Sequence, residues 1–171
     1  MERDKESEYA GRIIDLAREE LACSYPFLTP AIFALEVREV AEGDVKYGLG
    51  ENAEAFFYEP KGLVDDFASG KDVGDVLLHS ILHCLFLHPF MASLHGDRRL
   101  WDLSCDICVR DIMSCLGKSK VATEAEMKGN ALIAKLKKRV PVLSAERVYG
   151  VLDSESVAAE WFVRMIILFG I

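Results

Sequence analysis

His79-Ser80-Ile81-Leu82-His83 carries the strongest chemical signal in the chain. Two histidines four residues apart sit about 40° apart around a helix, so both imidazoles face the same way. Such a pair can supply two corners of a tetrahedral zinc site. In H-E-x-x-H helices the residue after the first histidine is the base that deprotonates a zinc-bound water. Here that position is Ser80, and an unactivated hydroxyl is not a base near neutral pH. The spacing therefore points to metal ligation, and the residue type at position 80 points away from hydrolysis. The alternative is a pair of core histidines hydrogen-bonded to backbone or carboxylate, and the surrounding motif must decide between them.

Three further sets of residues could complete such a site. His88 lies five residues beyond His83. On a continuous helix it would be about 140° away, on the wrong face. A third histidine this close usually follows a glycine that turns the chain, and residues 84–87 contain none. His88 is thus the weaker candidate ligand, expected to close the helix before Pro89. Asp106 is the better one, since a neighbouring antiparallel helix can present a carboxylate to the same point. Its competing role is an ordinary ion pair with Arg110, four residues on. Asp102, one turn before Asp106, is the nearby carboxylate that could replace the missing base. Cys105 and Cys108 form a C-x-x-C that could join the histidines in a Cys2His2 site or act as a redox pair. As small residues on a core-facing helix they read more simply as buried thiols, and so do Cys84 and Cys115.

The elements that must position these groups follow from periodicity and punctuation. Residues 4–22 predict an amphipathic helix with Ile13, Ile14, Leu16, Ala17 and Leu21 inward. Tyr25 to Pro30 predicts a packed connector. Residues 31–58 predict β-structure, with a turn at Gly43-Asp44 and a strong strand over 55–58. Leu63 to Phe67 predicts a short helix. Asp72 is placed to cap the next helix, which should run to about His88 and stop at Pro89. That helix is apolar nearly all round, from Val73 to Leu87, which marks it as central. Further helices are expected over 98–116, over 123–138 with Thr123 as cap and Lys135, Lys137 and Lys138 at its end, after a capping box at Ser144–Arg147, and from about Ser154.

Composition bounds the reading. The chain has 171 residues, half of them apolar, with a net charge of −8. That is enough for one domain with a sizeable core, spanning 1–171. The acidic balance argues against nucleic acid or an anionic membrane as partner. There is no secretory signal and no apolar run of the roughly 20 residues that a spanning helix needs. The five cysteines, an odd number, read as reduced thiols in a cytoplasmic protein.

Leu77 to Cys84, then His88-Pro89, then Trp101-Asp102-Leu103-Ser104-Cys105-Asp106 resemble the zincin-like metallopeptidase domain of bacterial von Willebrand factor A-like proteins. Pro26-Phe27-Leu28, Phe56 to Pro60 and Leu143 to Tyr149 are similar to further segments of that family. The resemblance covers most of 12–152, and its specific part is the two-histidine core. It implies a zinc site with His79 and His83 as ligands and Asp106 as the third. This chain departs from the pattern at Ser80, where the family has glutamate, and at Arg110, where it has asparagine. The first removes the base; the second sets a positive charge beside Asp106 and implies that zinc is held weakly or lost. The family usually continues into a von Willebrand A-type domain, so the apolar end Met165–Ile171 suggests one domain of a longer protein.

The expected fold is α+β: mostly helical, zincin-like, with a small antiparallel sheet packed by the central helix that carries His79 and His83. Residues 55–58 are expected to be the edge strand on which a peptide could add. The expected function is a degenerate, inactive metallopeptidase-like domain that binds or regulates a protein or peptide, with a von Willebrand A-type domain in cis or trans. The alternatives are an active zinc hydrolase with an unconventional base, and a purely structural helical module without metal.

Overall fold

The structure, a computed structural model, describes residues 2–41, 43, 46–50, 52–117, 124–140 and 142–154. They divide into two compact units, one ending at Pro89 and one beginning at Phe90. Both are built mainly of helices, and a small sheet belongs to the first.

The first unit opens with α1 (Glu2–Ser24). Ala10, Ile13, Ile14 and Leu21 form its buried stripe, at the spacing that lines one helix face. Leu16, expected inward, is 62% exposed. It lies about 160° from Ile14 around the helix, so it cannot share that face. Pro26 does not open a mere connector. A 3-10 turn at Pro26–Leu28 leads directly into α2 (Thr29–Ala34). Each proline stands at the first or second helical position, where its missing N–H costs no hydrogen bond. The expected β-structure therefore begins later than residue 31.

Three short strands follow: β1 (Val37–Glu39), β2 (Tyr47–Leu49) and β3 (Phe56–Tyr58). Gly43 has φ +98, as a turn requires, while Asp44 lies outside the described residues. The sheet order is β1-β3-β2, with β1 parallel and β2 antiparallel to β3. The sheet is thus mixed rather than antiparallel. The strand at 56–58 is central rather than an edge, because both its sides are already paired. Phe56 is fully buried and Tyr58 nearly so, as expected for a strand closed on both flanks.

Pro60 then starts α3 (Pro60–Ala68), whose N-cap Glu59 accepts hydrogen bonds from the backbone N–H groups of Lys61 and Gly62. α4 (Val73–Leu85) is capped by Asp72, whose Oδ1 accepts from Gly74 N at 2.9 Å. Leu77, Leu78, Ile81 and Leu82 are buried, and α4 packs on α1, α2 and β2. It is the central helix of this unit. α1 and α3 also pack together, and Leu21, Leu63 and Phe56 are fully buried. Each such side chain contributes roughly 1.5–3 kcal/mol on burial.

α4 stops earlier than expected. Its last residue is Leu85, Phe86 is the C-cap, and Leu87 has φ +59. Phe86 N and Leu87 N bond back to Leu82 O and Cys84 O, a left-handed C-cap made without glycine. Pro89 therefore falls inside the next short helix, α5 (His88–Met91), and does not end the previous one.

The second unit centres on α6 (Arg98–Cys115), capped by Asp97, which accepts from Leu100 N at 3.0 Å. α7 (Glu124–Lys137) and α8 (Ala145–Ser154) pack against it. Its core joins Trp101, Leu103, Ile107, Leu136, Val148 and Leu152. Lys137 at the end of α7 pairs with Asp111 at 2.7 Å. Thr123, the expected cap of α7, lies outside the described residues, as does everything beyond Ser154. At α8 the Ser144 Oγ accepts from Arg147 N at 3.4 Å, one half of a capping box. Arg147 cannot return an acceptor and instead donates to Val142 O. Among the described residues, no single helix is long and apolar enough to cross a membrane.

Candidate metal centre

His79 and His83 lie one turn apart on α4, both half-buried. Their Nε2 atoms are 3.0 Å apart, with ring centroids separated by 4.6 Å and the planes tilted by 44°. A tetrahedral zinc with ~2.0–2.1 Å bonds would hold two nitrogens about 3.3–3.4 Å apart. The observed spacing is within a few tenths of an ångström of that. The pair therefore fits two adjacent corners of a zinc site, and the rings need only part slightly.

The third histidine is not on the wrong side. α4 ends before it, and the left-handed Leu87 turns the chain so that His88 comes back over the last turn. His88 Nδ1 lies 3.3 Å from His83 Nδ1, with the rings edge to face at 5.0 Å and 80°. His88 is buried, and its ring stacks with Phe86 at 5.7 Å and 27°. The expectation that His88 faces away rested on a continuous helix, and the helix is not continuous. The contact is with the nitrogen of His83 opposite the one that meets His79.

Ser80 is buried, at 4% exposure, and its Oγ donates to Val76 O at 3.0 Å. The hydroxyl is thus committed to the backbone one turn back. Position 80 carries neither a carboxylate nor room in plain contact with water.

Asp106 lies on α6 in the second unit and is half-buried. Asp102, one turn earlier, is engaged: both its oxygens accept from Arg98 Nε, at 2.9 and 3.0 Å. Cys105 and Cys108 are buried in the α6 core. Burial first, and then the neighbouring Asp106, pushes the Cys105 thiol well up. Burial, followed by Glu146 and Asp111, pushes Cys108 up to about 12. Their burial among the apolar residues of α6 fits two core thiols. Cys84 is half-buried with its thiol raised by burial, and Cys115 is exposed.

A carboxylate that sequence reasoning missed also supports the first unit. Asp66 on α3 is buried, at 5% exposure. It accepts from Lys46 Nζ at 2.5 Å, Tyr47 Oη at 2.5 Å and Lys71 Nζ at 2.9 Å. Burial alone would raise its pKa, but these three donors outweigh it and hold the carboxyl well below the usual range. Burial, and then Asp66 itself, pushes Tyr47 up to about 12. The network ties α3 to β2, the strand that packs on α4. The sequence signal was an aspartate inside an apolar helix, Leu63 to Phe67.

A histidine pair on a buried central helix, spaced for one metal, defines the class to which this fold and site belong. The family model described as "putative metallopeptidase domain" matches residues 12–160. The chain belongs to that family. No curated protein and no solved structure matches it.

Proposed function

We propose that this chain is a metal-binding but non-hydrolytic member of the metallopeptidase-domain family, acting by binding a peptide or protein. The observation that carries the reading is the Nε2 pair of His79 and His83, 3.0 Å apart on α4, next to a Ser80 whose hydroxyl is spent on Val76 O. His79 and His83 are two ligands in this reading and Asp106 is the third. Two imidazoles and a carboxylate are a donor set that zinc accepts, and all three groups are half-buried. A zinc ion so held would polarise a bound carbonyl or water.

The chain's own residues set the limit on chemistry. A serine at position 80 cannot take a proton from an attacking water, and with the base goes an assistance worth roughly 10²–10⁴-fold. Asp102 is not a ready substitute, because Arg98 covers both its oxygens. Arg110, one turn beyond Asp106 on α6, adds positive charge near the third ligand, so the ion is held weakly. The same 3.0 Å contact also suits a direct hydrogen bond between neutral imidazoles, so a metal-free structural module is the second reading. A von Willebrand A-type domain, in cis or in trans, is the partner suggested by the resemblance around His79 and His83.

The test is cleavage of an unfolded protein substrate by untagged protein with zinc supplied. Wild type should stay at background, and Ser80→Glu, which returns a carboxylate beside the pair, should rise above it. Wild-type cleavage that His79→Ala abolishes would overturn the inactive reading.

A further inference from the structure

The turn that ends α4 sets a buried imidazole against the far nitrogen of His83. We infer that His88 is a positioning residue for the metal pair: its Nδ1 accepts the Nδ1–H of His83 and so leaves the His83 Nε2 lone pair aimed at the ion. The inference rests on the reading of His79 and His83 as ligands, and it assigns His88 a role other than ligation.

A neutral imidazole has one donor nitrogen and one acceptor nitrogen. His83 meets His79 through Nε2 and His88 through Nδ1. Two proton orders satisfy both contacts. In one, His79 donates to His83 and His83 donates to His88. In the other, His88 donates to His83 and His83 donates to His79. Only the first leaves the His83 Nε2 lone pair free of a proton, which is the state that binds a metal. For an ion to sit between the two Nε2 atoms, the Nε2 proton of His79 must leave to solvent while its Nδ1 takes one up, so that both histidines ligate as neutral imidazoles; His83 needs no such change. Ligating histidines commonly donate their other N–H to an acceptor that fixes tautomer and ring orientation. His88 stands where that acceptor belongs.

The surroundings of His88 suit the role. It is 6% exposed, so bulk water competes little for the His83 N–H. Phe86 stacks on its ring and restricts its rotation. Leu87 holds a left-handed φ of +59, a conformation that costs an L-residue roughly 1–2 kcal/mol. That local strain is what brings His88 back over α4, and a strained residue beside a candidate site is a reason to look for function there.

The experiment uses the full chain without a histidine tag, labelled with ¹⁵N-histidine. Imidazole nitrogen shifts of metal-free protein report the His83 tautomer, and cobalt titration reports affinity. In wild type, His83 should carry its proton on Nδ1. His88→Phe keeps an aromatic ring but removes the acceptor. The His83 proton should then leave Nδ1 or divide between the nitrogens, and cobalt affinity should fall about 10–100-fold. His88→Asn, with its Oδ1 near the place of Nδ1, should restore the tautomer and bring affinity to within about threefold of wild type. An Nε2–H tautomer in wild type would overturn the inference. So would an Nδ1–H retained in His88→Phe, or a His88 nitrogen that itself shifts on binding cobalt as a ligand does. If wild type binds no cobalt, the metal reading fails, and the tautomer of the metal-free protein still decides the role of His88.

Discussion

Restoring a carboxylate at position 80 should destabilise the metal-free protein substantially. Ser80 is 4% exposed, and its hydroxyl is satisfied by Val76 O at 3.0 Å. Glutamate must place a longer side chain where serine packs. Overpacking of this kind costs roughly 1–3 kcal/mol. The charged head must also leave water, and a buried polar group without a partner adds about 1–3 kcal/mol. Part of this is recovered if the carboxylate reaches the half-buried imidazoles of His79 and His83. The net expectation is a loss of about 2–4 kcal/mol in the presence of chelator. For a chain of this size that lowers Tm by roughly 5–15 °C. Urea unfolding followed by circular dichroism, with chelator and then with zinc, measures both states. Zinc should return part of the loss in Ser80→Glu, since an ion supplies the charge that the carboxylate lacks. A Ser80→Glu protein within about 0.5 kcal/mol of wild type in chelator would refute the reasoning. It would mean that position 80 opens on a space already fit for an acid.

Leu87→Gly should raise stability by roughly 1 kcal/mol, since glycine adopts the left-handed φ freely and Leu87 is 55% exposed; a lower urea midpoint would show that the turn is not held as described. Asp66→Asn should cost about 1–3 kcal/mol at pH 7, a range kept modest because Lys46 and Lys71 are half exposed to solvent. The Asp66 carboxyl is depressed in the folded state, so its contribution is present above the ordinary carboxyl value of 3.8 and is lost as pH falls below it; wild type and Asp66→Asn should therefore converge in stability in strong acid, and parallel curves down to that range would contradict the network. A thiol reagent at pH 8 should modify exposed Cys23 and Cys115 first and leave Cys105 and Cys108 untouched until the protein unfolds, which peptide mapping by mass spectrometry can follow; early labelling of the C-x-x-C would reopen a redox or ligand role.

Much of the helical framework was legible in the residues. Asp72 announces a helix start, and the apolar span from Val73 marks α4 as central. The aromatic run Phe56-Phe57-Tyr58 identified a strand. What was not legible depends on partners distant in the chain. Nothing in Val37–Glu39 states that it runs parallel to β3, and the central place of β3 follows only once both neighbours pair with it. Pro26 and Pro30 misled because proline opens helices as readily as it ends them, so 25–30 read as a connector and 31–34 as the start of β-structure, where α2 stands. Leu87 gave no warning of a left-handed turn, a conformation usually advertised by glycine or asparagine. That single residue decided the site. Projecting His88 along an unbroken helix put it on the far face, whereas the turn sets it against His83. The pairing of His79 with His83 needed only helical spacing, and it came through from the sequence intact.

The most direct test of the account is cobalt and zinc titration of untagged wild type beside His79→Ala and His83→Ala, each checked for folding by circular dichroism. Wild type should bind one ion per chain saturably, lose it on dialysis against a mild chelator, and both variants should fail to bind. Absence of saturable binding in wild type, or binding that neither substitution disturbs, would contradict a metal centre built on His79 and His83.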